Sequence, residues 1–172
     1  MTVEQVNTLD RDAFVARFGG VFEHSPWVAE VVWAHRPWQD RAALHGAMCA
    51  AIQAAPLERR LELIRAHPDL VGRAALAGTL TRASAGEQAA AGLDLGRLSA
   101  DEIARFTAAN TAYHARFGFP FVICARENPK SAILAGFTRR LGNDRDVEIA
   151  TALGEIEKIA YYRLVDSIDE TE

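Results

Sequence analysis

The chain has 172 residues, 49% hydrophobic and 24% charged, with 19 Lys+Arg against 23 Asp+Glu and a formal net charge of −4. That length and apolar content suit one domain with a sizeable core and leave little room for two. The acidic balance excludes a basic face for nucleic acid or for an anionic membrane, so the expected partner is a small molecule or a protein.

The two cysteines, Cys49 in HGAMCAAI and Cys124 in FVICAR, lie far apart in apolar surroundings without CxxC spacing and read as buried free thiols of a reducing compartment. The N-terminal MTVEQVNTLDRD lacks the apolar centre of a secretory signal, and no run reaches the roughly 20 apolar residues of a membrane span. The terminal SIDETE is unlike a Ser-Lys-Leu address. A soluble, cytoplasmic protein with no membrane partner is expected.

Apolar residues recur at three and four positions almost throughout, which is a helical period. Asp10 can cap a first helix through Phe14 and Phe18 that stops at Gly19-Gly20, and Ser25 followed by Pro26 opens a second running to about residue 36. Asp40 to about Ala54 forms a third, with Leu44, Met48, Ala51 and Ile52 on one face. Pro56 opens a fourth carrying Leu57, Leu61 and Ile64. The His67-Pro68 step closes it, because a proline ring drives the residue before it out of the α region.

Two Ser-x-x-Glu capping boxes follow, SAGE at 84–87 and SADE at 99–102. The second opens a long helix with Ile103, Phe106, Asn110, Tyr113 and Phe117 on one side and Gly118 as its stop. FPFVICA, 119–125, is a continuous apolar run containing proline and reads as a buried extended segment. Pro129 begins a helix through Ile133, Leu134, Phe137 and Leu141, ended by Gly142, and a last helix of about twenty residues buries Ile149, Leu153, Ile156, Ala160 and Leu164. The expected fold is all-α: one domain over 1–172, an irregular or orthogonal bundle of about seven to nine helices around one buried extended segment.

Polar residues on apolar stripes must be paired or functional. His67, at a helix end beside Asp69, sits where carbonyl termini favour an imidazolium, so it is a candidate proton donor as well as a helix-terminal residue. Ser84 and Glu87 are explained by capping, yet a helix N-terminus also binds carbonyl oxygens and anions, and Gln88 has no capping duty. Asn110 and Tyr113 read as partners for the backbone of the extended segment. Arg163 faces inward on the last helix and calls for a carboxylate of protein or ligand. Glu23 and His24 are a lesser signal, fitting a surface or loop-packing role as well as any catalytic one. No His-x-x-x-His occurs, and His45 with Cys49 lacks an evident third ligand, so no metal is expected. No Gly-x-Ser-x-Gly, local Cys-His pair or desolvated lysine points to covalent catalysis.

FEHSPWVAE, AHPDL, SAGEQAAAGL, NTAYHARFGFPFVI and IAYYRL stand in the order and at the spacing of 2-oxo-4-hydroxy-4-carboxy-5-ureidoimidazoline (OHCU) decarboxylases, which the chain resembles from about Phe14 to Leu164. The resemblance implies a cofactor-free, all-α, commonly dimeric enzyme of urate breakdown with His67 as proton donor. Its substrate-binding positions fall on Pro68, on Ser84, Ala85, Gly86, Glu87 and Gln88, on Phe119, Pro120, Phe121, Val122 and Ile123, and on Arg163. Neither a peroxisomal address nor a fused hydroxyisourate hydrolase domain is recognised, which suggests a stand-alone bacterial-type form.

On this reading the substrate's own ring C=N takes up the electrons released with CO₂. His67 exchanges a proton with the hydroxyl and the reacting carbon, Glu87 and Gln88 hold the ureido and ring N–H groups, and Arg163 with backbone amides of 119–123 receives oxygens. Two alternatives stay open: a non-catalytic helical ligand-binding or interaction module, and a related helical enzyme acting on another ureido compound.

Overall fold

In a computed structural model the described residues are 1–169. The end of SIDETE, on which the expected lack of a peroxisomal address rests, lies outside them. Ten α-helices and three 3₁₀ turns make up the regular structure of the described residues, which contain no strand. The all-α expectation holds. The helices beyond the expected seven to nine are short, such as a four-residue one at Arg73–Leu76, too brief to show an apolar period. The backbone divides into two compact units, Met1–Ala66 with the chain from Glu157 onward, and His67–Ile156.

The first unit holds α1 (Val3–Asn7), α2 (Arg11–Phe18), α3 (Trp27–Val32), α4 (Arg41–Ala54) and α5 (Leu57–Ala66). The α2 and α4 starts are as expected, with Asp10 accepting from Ala13 N at 2.8 Å and Asp40 from Ala43 N at 2.6 Å. Ser25 is not a side-chain cap. The chain turns into α3 through Pro26, and Ser25 contributes its carbonyl, which accepts from Val28 N at 3.2 Å. Phe14, Phe18, Phe22, Leu44, Met48 and Ile52 are buried here, with Phe14 stacked on Trp38.

The second unit holds α6 (Arg73–Leu76), α7 (Arg82–Ala90), α8 (Ala100–Phe117), α9 (Lys130–Arg140) and the beginning of α10 (Arg145–Val165). Both arms of the Ser99–Glu102 capping box form, at 3.2 and 2.9 Å, fixing the start of α8. From there Phe106, Tyr113 and Phe117 enter an aromatic cluster with Phe119, Phe121 and Phe137, in which Phe121 and Phe137 stack with centroids 3.8 Å apart. Gly118 ends α8 in the left-handed region, φ 75°, and releases the chain into the extended segment. All of Ile149, Leu153, Ile156, Ala160 and Leu164 on α10 are buried.

A Cβ at Gly118 would meet nothing within 4 Å, so Gly118→Ala isolates backbone strain from packing. Urea denaturation of this variant is expected to show a loss of about 1 kcal/mol, the left-handed penalty of an L-residue.

Candidate active site

His67 follows α5 and is 7% exposed, with Pro68 and Asp69 half-buried behind it. Asp69 is held by α8, its Oδ1 lying 2.8 Å from His114 Nε2. Two residues on, Val71 adopts φ 53°, uncommon for a β-branched side chain. The peptide group joining Leu70 to Val71 is gripped at both ends. Asn110 Nδ2 donates to the Leu70 carbonyl at 2.9 Å, and the Val71 N–H donates to Gln88 Oε1 at 3.0 Å.

Gln88 comes from α7, whose start differs from the sequence reading. Thr81, not Ser84, is the N-cap, its hydroxyl accepting from Ser84 N at 3.2 Å. Ser84 therefore lies inside the first turn and is buried, and the Ser84–Glu87 spacing that resembles a capping box is a pair one turn apart within the helix. Glu87 is thus not the acid of a box, and the Ala85 N–H is bonded to Thr81 O at 2.9 Å. The open N–H groups of the helix start lie ahead of Ser84, so this stretch has side chains to offer and not the expected amide nest. Ala85 and Gly86 are exposed, Glu87 is half-buried and Gln88 is buried. α7 packs against the 3₁₀ turn Ala125–Glu127, which directly follows the extended segment.

Phe119, Pro120, Phe121, Val122, Ile123 and Cys124 are all buried. A buried extended chain without a strand beside it must bond to side chains. Arg140 Nη1 donates to the Val122 carbonyl at 2.7 Å, and the Cys124 N–H donates to Glu155 at 2.8 Å. Arg140 is itself neutralised by Glu148, Nε to Oε1 at 2.7 Å, with Glu148 fully buried and its second oxygen held by Asn143 Nδ2 at 2.8 Å. Tyr113 OH donates to the same carboxylate, and burial together with that bond raises its pKa strongly, so the phenol stays protonated.

Asn110 and Tyr113 were expected as partners of the extended backbone; Asn110 bonds the Leu70 carbonyl instead, and Tyr113 acts at one remove, through Glu148 and Arg140. Those two escaped the sequence reading although a signal was there. Arg140 lies three residues after Phe137 and seven after Ile133, and Glu148 eight before Ile156, each a charge on an apolar stripe.

Arg163 belongs to the first unit, where its Nη1 pairs with Glu23 Oε2 at 2.9 Å and reaches the Val21 carbonyl at 3.2 Å. Glu23 is 2% exposed, so this acid, read as a minor surface or loop residue, is the buried partner that an inward arginine requires. His24 beside it is exposed with φ 47°. Contrary to the expectation of no local Cys-His pair, His45 Nε2 lies 3.4 Å from Cys49 Sγ, one turn along α4, and the same Nε2 lies 2.8 Å from the Glu157 carbonyl. No group of three or more His, Cys, Asp or Glu among the described residues is placed to hold a metal ion. Cys49 is half-buried, not buried as expected, while Cys124 is buried.

The OHCU decarboxylase family model matches residues 7–165. The chain belongs to the OHCU decarboxylase family. It is 43% identical to the 2-oxo-4-hydroxy-4-carboxy-5-ureidoimidazoline decarboxylase of Haloferax volcanii over 96% of its own length and 95% of that protein's. The enzyme of that name from Amia calva is 44% identical over 98% and 95%. Among solved structures, a crystal structure of (S)-allantoin synthase superposes with a TM-score of 0.79 at 28% identity. It is matched over 100% of this chain and 56% of that one. The family assignment covers both units, and it sets the decarboxylase reading above a non-catalytic module. No helix among the described residues is long and apolar enough to cross a membrane.

Removing Glu148 leaves a buried guanidinium without its counter-ion, so Glu148→Ala should lower the urea unfolding free energy by about 3–5 kcal/mol. Burial and Glu157 push the Cys49 thiol from 9.0 up to about 12, and burial raises Cys124 as well. Thiols freed by unfolding ionise near 8.5, so as pH rises through about 8.5 the folded state comes to bind more protons than the unfolded one. Unfolding free energy measured in urea should therefore fall as pH rises from about 8.5 towards about 12, and a Cys49→Ala variant should show a shallower fall.

Proposed function

We propose that the protein is a cofactor-free decarboxylase of 2-oxo-4-hydroxy-4-carboxy-5-ureidoimidazoline that forms (S)-allantoin in urate breakdown, with His67 as proton donor. The observation that carries this is identity above 40% over almost the whole length to proteins bearing that name. A buried His67 in a loop held from two helices supports the role given to it.

The chemistry needs an electron sink and one placed proton. As the bond to the carboxylate breaks and CO₂ leaves, its electron pair forms a C=C bond to the neighbouring carbon, and the displaced π pair of the ring C=N goes to the ring nitrogen, which takes a proton from water. The ring becomes an enol, the hydroxyl gives up its proton as it turns to a carbonyl, and the neighbouring carbon that bears the ureido group takes a proton and becomes the stereocentre. His67 can take the first proton and deliver the second from one face, which sets the hand of the product. Pro68 stiffens the approach of the imidazole.

Gln88, whose carbonyl oxygen is taken by Val71, has amide donors for substrate oxygens, and Glu87 accepts from ureido or ring N–H groups. Ser84 adds a hydroxyl from the same turn, next to Ala85 and Gly86. Backbone amides of 119–123, excluding that of Pro120, bind carboxylate or carbonyl oxygens, with Phe119, Phe121, Val122 and Ile123 excluding water. Arg163, with its guanidinium on Glu23 in the first unit, is kept as a substrate-binding candidate to be tested by its own substitution. The protein is further proposed to act in the cytoplasm as a homodimer.

Adding the protein to freshly generated hydroxyisourate hydrolysis product, with circular dichroism as the readout, should give optically active allantoin. The His67→Asn variant should lose that bias and turn over ~100- to 10,000-fold more slowly. Undiminished chiral turnover in the variant would defeat the assignment of His67.

A further inference from the structure

Between His67 and α6 the chain makes one sharp excursion, and its shape depends on a single peptide group. Val71 has φ 53° and is 1% exposed, so the loop holds a buried β-branched residue in a backbone region such residues avoid. Such a conformation persists only when its surroundings over-determine it. Here the determinants are two buried side-chain amides. Gln88 of α7 accepts from the Val71 N–H at 3.0 Å, and Asn110 of α8 donates to the Leu70 carbonyl at 2.9 Å. These are the N–H and C=O of the same peptide plane, so its orientation is fixed from both sides. One turn further along α8, His114 holds the Asp69 carboxylate at 2.8 Å.

Asn110 is otherwise a poor choice for its place. It sits on the buried stripe between Phe106 and Tyr113 at 7% exposure, and its Oδ1 has no hydrogen-bond partner among the described residues. A leucine there would suit helix and core better. What leucine cannot supply is the N–H that the Leu70 carbonyl uses.

We infer that Asn110 and Gln88 together form an amide clamp on the Leu70–Val71 peptide that positions His67 for proton transfer, with Asn110 a positioning residue that touches no substrate. This rests on the role of His67 given above. It also gives Gln88 a second duty: because its Oε1 is held by Val71, its amide hydrogens are fixed in direction, so loop and substrate-binding donor are set by one side chain.

The test is Asn110→Leu, of similar size and without the donor. Released from the clamp, the loop lets the imidazole shift, and a misplacement on the scale of 1 Å costs on the order of 100-fold in rate. The expected result is a kcat lower by ~100-fold with KM changed less than about threefold, reduced optical bias in the product, and a shifted or broadened His67 ring resonance in the NMR spectrum.

Asn110→Asp is the second variant. It preserves shape, and its carboxylate faces the Leu70 carbonyl until protonation restores a donor, so its activity relative to the unsubstituted protein should recover as pH falls. A His67 resonance and a kcat unchanged in Asn110→Leu would overturn the clamp. If the unsubstituted protein gives no optical bias while Asn110→Leu still displaces the His67 resonance, the clamp stands and the decarboxylase reading falls.

Discussion

A stretch of extended backbone is buried here in a protein whose described residues contain no strand, and the second unit is organised around satisfying it. In a sheet, neighbouring strands would take up the carbonyls and amides of 119–124. Without them each group left unpaired in the core would cost about 1–3 kcal/mol. Arg140 answers for Val122 and the half-buried Glu155 for Cys124, and Arg140 brings a charge into the core that needs its own partner. For Arg140 that partner is Glu148, itself held by Tyr113 and Asn143. A short irregular segment thus recruits residues from α8, α9, α10 and the turn between the last two.

The loop after His67 follows the same logic with neutral groups. Its backbone is irregular, its polar atoms are buried, and amides from two helices replace the missing neighbours. The first unit has a charged counterpart in Arg163 and Glu23, an ion pair within reach of the Val21 carbonyl. In all three places a polar side chain on an apolar helical stripe binds backbone that no regular element could serve. The chemistry of decarboxylation asks little more of the protein than rigid placement, because the substrate supplies its own electron sink. An arrangement in which the helices support irregular segments, and the irregular segments carry the residues proposed as proton donor and apolar wall, suits that demand.

Much of this was legible in the chain itself. The periods, the Asp10, Asp40 and Ser99 caps, the stop at Gly118 and the stripe of α10 are local properties, set by 3.6-residue spacing and by side chains reaching no further than one turn, so reading residues in order suffices. His67-Pro68 announced a helix end carrying an ionisable ring, and the run 119–125 announced a buried segment with no sheet to join. The start of α7 was misread because Ser84-x-x-Glu87 satisfies the capping pattern equally well one turn inside a helix, and local rules cannot choose between two starts three residues apart.

The partnerships were decided by tertiary structure alone. Asn110 lies 40 residues from Leu70, and Glu23 is paired with Arg163 from the far end of the chain. Periodicity puts Asn110 and Arg163 on buried faces where each must find something, and the same spacing, unread, held for Arg140 and Glu148. Which carbonyl or carboxylate each finds depends on how helices distant in the chain come together, and no spacing within one helix carries that information.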